Sequence, residues 1–142
     1  RYFPGCALTA DMITGFPGET EADQAAAVAF LEQVGFAAVH VFPYSRRPGT
    51  KADAMPEQLS HAVKSARAHE AQRVADGCKQ RYLAQQVGRI LPVLFETEHD
   101  GNWVGHSDNY CLVRAAGDDL RGLVKNVKIS AVSGQMLVGD LV

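Results

Sequence analysis

Apolar residues in the first part of the chain fall into two short runs separated by an alanine-rich stretch. Residues 7–13 and 37–42 are mostly apolar and contain β-branched side chains, a pattern that favours strands. Between them, Glu21–Val34 combines the high helix propensity of alanine with an apolar stripe. A strand, a helix and a second strand with short links form a βαβ unit, so we predict that the two strands are parallel.

The residues at the ends of the predicted helices are typical of caps. Thr20 can cap the first helix, and Asp23 three positions later gives a variant of the capping box. Gly35 stands where the glycine that ends a helix belongs. A polar loop follows the second strand, and Pro56 then opens a second helix that we expect to reach about Gln86.

After this second helix, short β-type runs separated by turn residues replace the helical period. The strands predicted from these runs are residues 89–97, 110–115, 123–132 and 136–142. Ser133-Gly134 is expected to form a tight hairpin turn. Several short strands at this spacing favour a small barrel of the OB type. We therefore predict an α/β part, residues 1–85, followed by an all-β domain, residues 86–142.

Composition and charge narrow the class of protein. Of the 142 residues, 46% are hydrophobic and 21% are charged, the balance of a soluble globular protein. No apolar run approaches the roughly 20 residues that span a bilayer, and the start of the chain is not a secretory signal. We therefore expect a cytoplasmic protein without a membrane partner. The net charge of −2 argues against a strongly basic, non-specific nucleic-acid binder.

Two stretches of the α/β part resemble the late catalytic barrel of radical S-adenosylmethionine methylthiotransferases. The first is Gly15-Phe16-Pro17-Gly18-Glu19, after the first strand, and the second is residues 40–50, which read HVFPYSRRPGT. One helix separates the two stretches, as in that family. The resemblance implies the last βαβ and helical part of a partial TIM-type barrel, which binds its ligand at the C-terminal ends of parallel strands.

The same resemblance implies which residues shape a cofactor pocket, since glycines let the backbone approach a ligand closely. The expected cofactor-binding residues are Ile13, Gly15, Phe16, Pro17, Gly18, Glu19, Val41, Phe42, Pro43 and Tyr44. Two of them have simpler alternatives. Glu19 could act only on the N-terminus of the following helix through its dipole, and Tyr44 could simply pack under the loop.

Residues 105–110, which read GHSDNY, are similar to a TRAM domain, the RNA-binding β-barrel that ends these enzymes. The resemblance implies contact with the anticodon arm of tRNA. Arginine and lysine would pair with phosphates, and aromatic rings would stack on unpaired bases. The residues expected to contact RNA are Arg46, Arg47, Arg89, Trp103, His106, Tyr110, Arg114 and Lys125. Each could instead be a solvated charge or part of a core.

The implied reaction is the conversion of N6-threonylcarbamoyladenosine, next to the anticodon, to its 2-methylthio derivative. Residues 39–45 and 105–110 look most like the group of the family that acts on this nucleoside. The cofactors of the parent enzyme would be S-adenosylmethionine and two 4Fe-4S clusters. Two alternatives stay open: a methylthiotransferase acting on isopentenyladenosine tRNA or on a ribosomal protein, and a non-enzymatic RNA-binding module.

The three cysteines depart from the family pattern. The family builds its radical-generating cluster on a CxxxCxxC loop, and the spacing of Cys6, Cys78 and Cys111 cannot supply one. We therefore expect an inactive C-terminal fragment without catalytic or metal-binding residues, which binds no cofactor alone. Its partners would include the N-terminal domains of the same protein. The two α/β strands would leave an exposed edge through which the fragment could self-associate.

Overall fold

Two parallel strands with helices packed on them form the first of two units in the computed structural model, which describes residues 5–142. We call residues 8–79 the α/β unit, and residues 5–7 with 80–142 the barrel unit. Within the described residues, no helix is long and apolar enough to cross a membrane.

The α/β unit contains the predicted βαβ arrangement. Strands β1 (Thr9–Thr14) and β2 (Ala38–Pro43) pair in parallel, and helix α1 (Glu21–Val34) connects them. The parallel pairing predicted from the sequence is therefore confirmed. Both parts of the capping box at Thr20 are present, because its hydroxyl accepts the Asp23 N–H and the Asp23 carboxylate accepts the Thr20 N–H. Gly35 ends the helix in the left-handed conformation at φ 69°.

Helix α2 (His61–Ala84) begins five residues after the proline that was expected to open it. Ser60 caps its N-terminus, because the Ser60 hydroxyl accepts a hydrogen bond from the Val63 N–H at 3.3 Å. Glu57 adopts a left-handed backbone conformation, and its carbonyl accepts the N–H of Gly18 at 3.2 Å. The segment after Pro56 therefore contacts the turn that follows β1 and is not helical. The prediction that α2 begins at Pro56 is wrong, because the helix begins at His61.

The two faces of the β1–β2 sheet have different surroundings. The face that carries Val39 and Val41 packs on the helices, against the buried Leu31 and Val74 among others. On the other face the side chains of Ile13 and Phe42 are 56% and 52% exposed. These two residues pair directly across the strands, so the uncovered face is apolar at its C-terminal end.

The barrel unit is a closed barrel of five strands. The strands are β3 (Ile90–His99), β4 (Asn102–Ser107), β5 (Leu112–Ala116), β6 (Val124–Ser133) and β7 (Met136–Leu141). Their order around the barrel is β3-β4-β5-β7-β6, with β5 and β7 parallel and the other pairs antiparallel. A small all-β barrel was expected from the spacing of the apolar runs, and this part of the fold is confirmed.

Strand β4 was missing from the sequence-based prediction. Its residues are mainly small or polar and lack the apolar run that marked the other strands. Gly105 allows β4 to lie close against β3, because a Cβ at this position would collide with the backbone carbonyl of Leu94 on β3. The side chains that point into the barrel include Val93, Phe95 and Val113, each fully buried.

Candidate cofactor pocket and nucleic-acid interface

A cavity of about 480 Å³ lies at the C-terminal ends of β1 and β2. Its volume is within the range of small-molecule sites. The lining residues are Ile13, Phe42, Pro43, Tyr44, Ser45, Arg47, Thr50 and Ala52. The structure therefore brings together four of the predicted cofactor residues. It adds Arg47, which was predicted to contact RNA, and three loop residues that sequence reasoning missed.

Tyr44 is the best-anchored aromatic residue of this cavity. Its backbone N–H donates to the carbonyl of Thr14 at 2.8 Å, which ties the start of the loop to the end of β1. The ring meets that of Phe16 edge-on at 5.2 Å, and the Lys64 ammonium lies 5.5 Å from its centroid. The phenolic oxygen is buried and has no hydrogen-bond partner among the described residues. A buried hydroxyl without a partner is costly, so Tyr44 offers an unused polar group.

Glu19 holds the turn that follows β1. Its Oε1 accepts the Gly15 N–H at 2.9 Å and lies 2.6 Å from Nη1 of Arg67. The same Nη1 donates to the Glu19 carbonyl at 2.9 Å, and Nη2 lies 2.6 Å from the Glu21 carboxylate. The hydrogen bond to Glu21, followed by the contact with Glu19, raises the pKa of the buried Arg67 guanidinium. The role of Glu19 therefore extends beyond the helix dipole.

The close approach of Lys64 to the backbone explains why the first residue of the turn is a glycine. Gly15 has φ +71°, and a Cβ there would collide with the side chain of Lys64. Pro17 is buried and Gly18 exposed within the same turn. Val41 does not join this group, because it lies on the sheet face that packs against the helices. The structure thus separates Val41 from the other predicted cofactor residues.

The cysteines do not fit an iron–sulfur cluster. Cys78 is buried in the α/β unit, where its thiol donates to the Leu31 carbonyl at 3.4 Å, and Cys111 is buried in the barrel unit. Cys6 is exposed. Within the part of the chain that the structure describes, no group of three His, Cys, Asp or Glu side chains could hold a metal ion.

On the barrel surface, the partly buried His106 and the exposed Tyr110 form an aromatic pair. Their ring centroids are 5.2 Å apart, and Nδ1 of His106 lies 2.6 Å from a carboxylate oxygen of Glu96. His106 pairs with Leu94 on β3 and with Leu112 on β5, so the outer wall beside Tyr110 is partly apolar. Both residues were predicted to contact RNA.

The other residues predicted to contact RNA differ in their surroundings, and one of them is buried. Trp103 is only 7% exposed and lies on the strand face that fills the barrel, which corrects the expectation that it stacks on bases. Arg46 is held by Asp53, with Nε 2.7 Å from the carboxylate, and Arg89 donates to the Gln86 side chain at 2.6 Å. Arg114 is half-buried on β5, next to Val104 and Val138 of the neighbouring strands. Lys125 is exposed near the start of β6.

A hydrogen-bonded group beneath the β4–β5 loop was missed in the sequence. The Asn109 side chain donates to the Tyr82 hydroxyl and to Oε1 of Gln86, both at 3.1 Å, and its Oδ1 accepts from Ser107 at 2.7 Å. Burial raises the pKa of the Tyr82 phenol, and its hydroxyl donates to the Gly5 carbonyl at 3.0 Å. These partners lie far apart in the sequence, so no local pattern signals them.

Comparison with known proteins finds relatives that are all named for the methylthio modification of tRNA. The chain is 38% identical over 135 residues to the threonylcarbamoyladenosine tRNA methylthiotransferase MtaB of Bacillus subtilis, which covers 91% of this chain and 30% of the relative. It is 40% identical over 141 residues to the tRNA-2-methylthio-N(6)-dimethylallyladenosine synthase of Maricaulis maris, covering 97% and 31%. The enzyme of the same name from Nitratidesulfovibrio vulgaris is 36% identical over 146 residues, covering 96% and 32%. No protein-family model matches the sequence.

These relatives have one activity class in common. Nearly the whole chain is homologous to tRNA methylthiotransferases, and it spans about a third of their length. The family resemblance of the sequence motifs is therefore confirmed.

Proposed function

We propose, from the homology of this chain to tRNA methylthiotransferases, that it is the C-terminal part of such an enzyme. The whole protein would convert N6-threonylcarbamoyladenosine beside the anticodon to its 2-methylthio derivative. The chain would contribute the end of the radical S-adenosylmethionine barrel and a TRAM-like RNA-binding barrel. The similarity to the Bacillus subtilis relative and the sequence of residues 39–45 and 105–110 support this substrate.

The cavity at the C-terminal ends of β1 and β2 supports the cofactor-binding part of the proposal. Parallel sheets of barrel enzymes bind ligands at this end. Ile13 and Phe42 present apolar surface there, and Tyr44 adds a ring and an unused hydroxyl, a combination that suits an adenosyl group. When bound, S-adenosylmethionine would supply the radical that abstracts hydrogen and, from a second molecule, the methyl group.

The residues of this chain would bind S-adenosylmethionine and tRNA and hold them in position. The contact between Arg67 and Glu19 holds the turn beside the cavity, and Arg47 adds a positive charge to its lining. On the barrel unit, Tyr110 and Arg114 would meet the tRNA through stacking and phosphate pairing. The iron–sulfur clusters of the whole enzyme would need cysteines outside the residues described.

A chimera tests the proposal directly. This chain replaces the matched third of the Bacillus subtilis relative, and the chimera is expressed in a strain that lacks the natural enzyme. We expect mass spectrometry of tRNA nucleosides to show restored 2-methylthio-N6-threonylcarbamoyladenosine. Tyr44→Ala in the chimera should reduce the product, whereas Phe30→Ala, on the surface of α1, should not. A soluble chimera that makes no product would contradict the proposal.

A second substrate is favoured by the other relatives, which are named for N(6)-dimethylallyladenosine, the isopentenyl nucleoside. The same graft into the Maricaulis maris enzyme separates the two substrates. If the threonylcarbamoyl assignment is right, the graft should work better in the Bacillus subtilis host than in the Maricaulis maris host. The reverse order of activities would assign the chain to the isopentenyl group.

A further inference from the structure

The β4–β5 loop presents its aromatic residue in an unusual way. Tyr110 is 82% exposed, more than any other large hydrophobic side chain in the described part of the chain. Its backbone has φ +63°, in the left-handed region that bulky residues rarely adopt. A strained conformation persists only where the surroundings hold it, and such residues cluster at functional sites. Tyr110 contributes little to a core, so its exposed ring is available to a ligand.

Hydrogen bonds on both sides of Tyr110 fix the loop. The Tyr110 N–H donates to the Ser107 carbonyl at 2.9 Å, and the Ser107 hydroxyl accepts the Cys111 N–H at 3.0 Å. Asn109 then ties the loop to the end of α2, because both hydrogens of its amide are donated to Tyr82 and Gln86. Gln86 and Ser107 are buried, so the loop is anchored in the interior of the barrel unit.

The geometry points to the β4–β5 loop as a pre-formed platform on which Tyr110 stacks one unpaired nucleobase, with Asn109 as the residue that positions it. This inference rests on the proposed RNA-binding function and assigns it to one ring and one loop. A ring that is already ordered loses less entropy on binding than a mobile one. His106 forms the side wall of the platform, and Glu96 fixes the His106 ring. The Glu96 carboxylate disfavours a phosphate here and leaves the base as the matching group.

Binding of a hairpin RNA to the intact chain tests the platform. The probe carries a fluorescent adenine analogue in an unpaired loop, and stacking on Tyr110 should quench it. Tyr110→Ala should weaken binding by about 5-fold to 150-fold, the range for one lost base–aromatic stack, and abolish the quenching. Tyr110→Phe should retain both, and Phe30→Ala, an exposed aromatic residue on α1, is the matched control. If the wild-type chain binds and Tyr110→Ala changes neither affinity nor quenching, the inference is overturned while RNA binding stands.

The role of Asn109 is tested by a double-mutant cycle. Asn109→Ala should weaken binding by about 2-fold to 12-fold, the factor for one net hydrogen bond, and speed hydrogen exchange of the Tyr110 amide. In the Tyr110→Ala background the same change should have no further effect on affinity. Asn109→Asp, which keeps the acceptor for Ser107, should behave like the alanine variant. Asn102→Ala, at the start of β4, is the control and should leave binding unchanged.

Each outcome of this cycle has a distinct meaning. Equal losses from Asn109→Ala with and without Tyr110 would show that Asn109 acts elsewhere and would overturn its positioning role. A wild-type chain that does not bind the hairpin would overturn the RNA-binding part of the proposed function and the platform with it.

Discussion

The barrel unit and the α/β unit differ in how their strands are paired and covered. Every barrel strand has two neighbours, whereas within residues 5–142 β1 and β2 pair only with each other. The barrel buries large side chains such as Phe95 and Leu137 completely. In the α/β unit the buried cluster consists of Leu, Val, Ala and Cys, and Ile13 and Phe42 remain half-exposed on the open sheet face.

This difference teaches how each unit offers a surface for binding. The barrel is closed and filled by side chains, and its candidate site is a loop held on the outside, where Tyr110 is exposed. The α/β unit has an uncovered sheet face, so its candidate site is the cavity at the end of that face. Both units leave some apolar side chains exposed, and in the α/β unit those of Ile13 and Phe42 line the cavity and are available to a ligand.

Replacement of matched phenylalanines should show the contrast most strongly. Phe95→Ala removes a fully buried ring and should lower the free energy of unfolding of the barrel by about 3–5 kcal/mol. Phe42→Ala, on the open face, should cost less than about 1 kcal/mol, since the ring is already half in water. Urea denaturation followed by circular dichroism measures both. Similar losses would mean that the open face is covered in solution.

Replacement of the buried arginine of the α/β unit should have the second-largest effect on stability. Arg67→Met leaves the Glu19 carboxylate without its cation and should destabilise the unit by about 3 kcal/mol. Arg46→Met breaks the exposed pair with Asp53 and should cost at most about 1 kcal/mol. Thermal unfolding of the two variants gives the comparison. A small effect of Arg67→Met would show that the turn after β1 does not depend on this ion pair.

Loss of the α1 cap should have a smaller effect. Thr20→Ala removes the hydroxyl that accepts the Asp23 N–H and should cost about 1 kcal/mol. Hydrogen bonds from Thr20 lower the pKa of Asp23 below its usual 3.8. The part of the stabilisation that comes from the ionised Asp23 carboxylate is therefore fully present above pH 3.8 and is lost as the pH falls through the lower folded-state pKa. In Thr20→Ala, NMR titration should show this pKa moving back up. An unchanged Asp23 pKa would contradict the assigned cause.

Tyr44→Phe should change the free energy of unfolding least, and in the direction of greater stability. Tyr44→Phe removes a buried hydroxyl that has no partner, so the chain alone should be unchanged or slightly stabilised, by up to about 0.5 kcal/mol. Tyr82→Phe, the matched control in the barrel unit, loses its hydrogen bonds to Gly5 and Asn109 and should cost about 1 kcal/mol. Chemical denaturation of both variants is the measurement. Clear destabilisation by Tyr44→Phe would mean that the hydroxyl has a partner in solution.

Local signals in the sequence determined most of the secondary structure and part of the candidate site. The capping box at Thr20 and the glycine that ends α1 depend on neighbouring residues, and both were predicted correctly. A short βαβ connection brings the ends of β1 and β2 together, so that Ile13 and the motif at the end of β2 meet at the cavity. None of Gly15–Glu19, the motif after β1, lines it.

Only the tertiary structure decided which face each residue occupies and which distant residues hold it. Alternation in a strand separates Val41 from Phe42, but packing of the helices determines which of them is covered. Trp103 turned inward for the same reason, since register and barrel closure assign the faces of β4. Arg67 reaches Glu19 across 48 positions and Asn109 reaches Tyr82 across 27. Contacts of this kind depend on chain topology, which hydrophobic periodicity over a few residues does not encode.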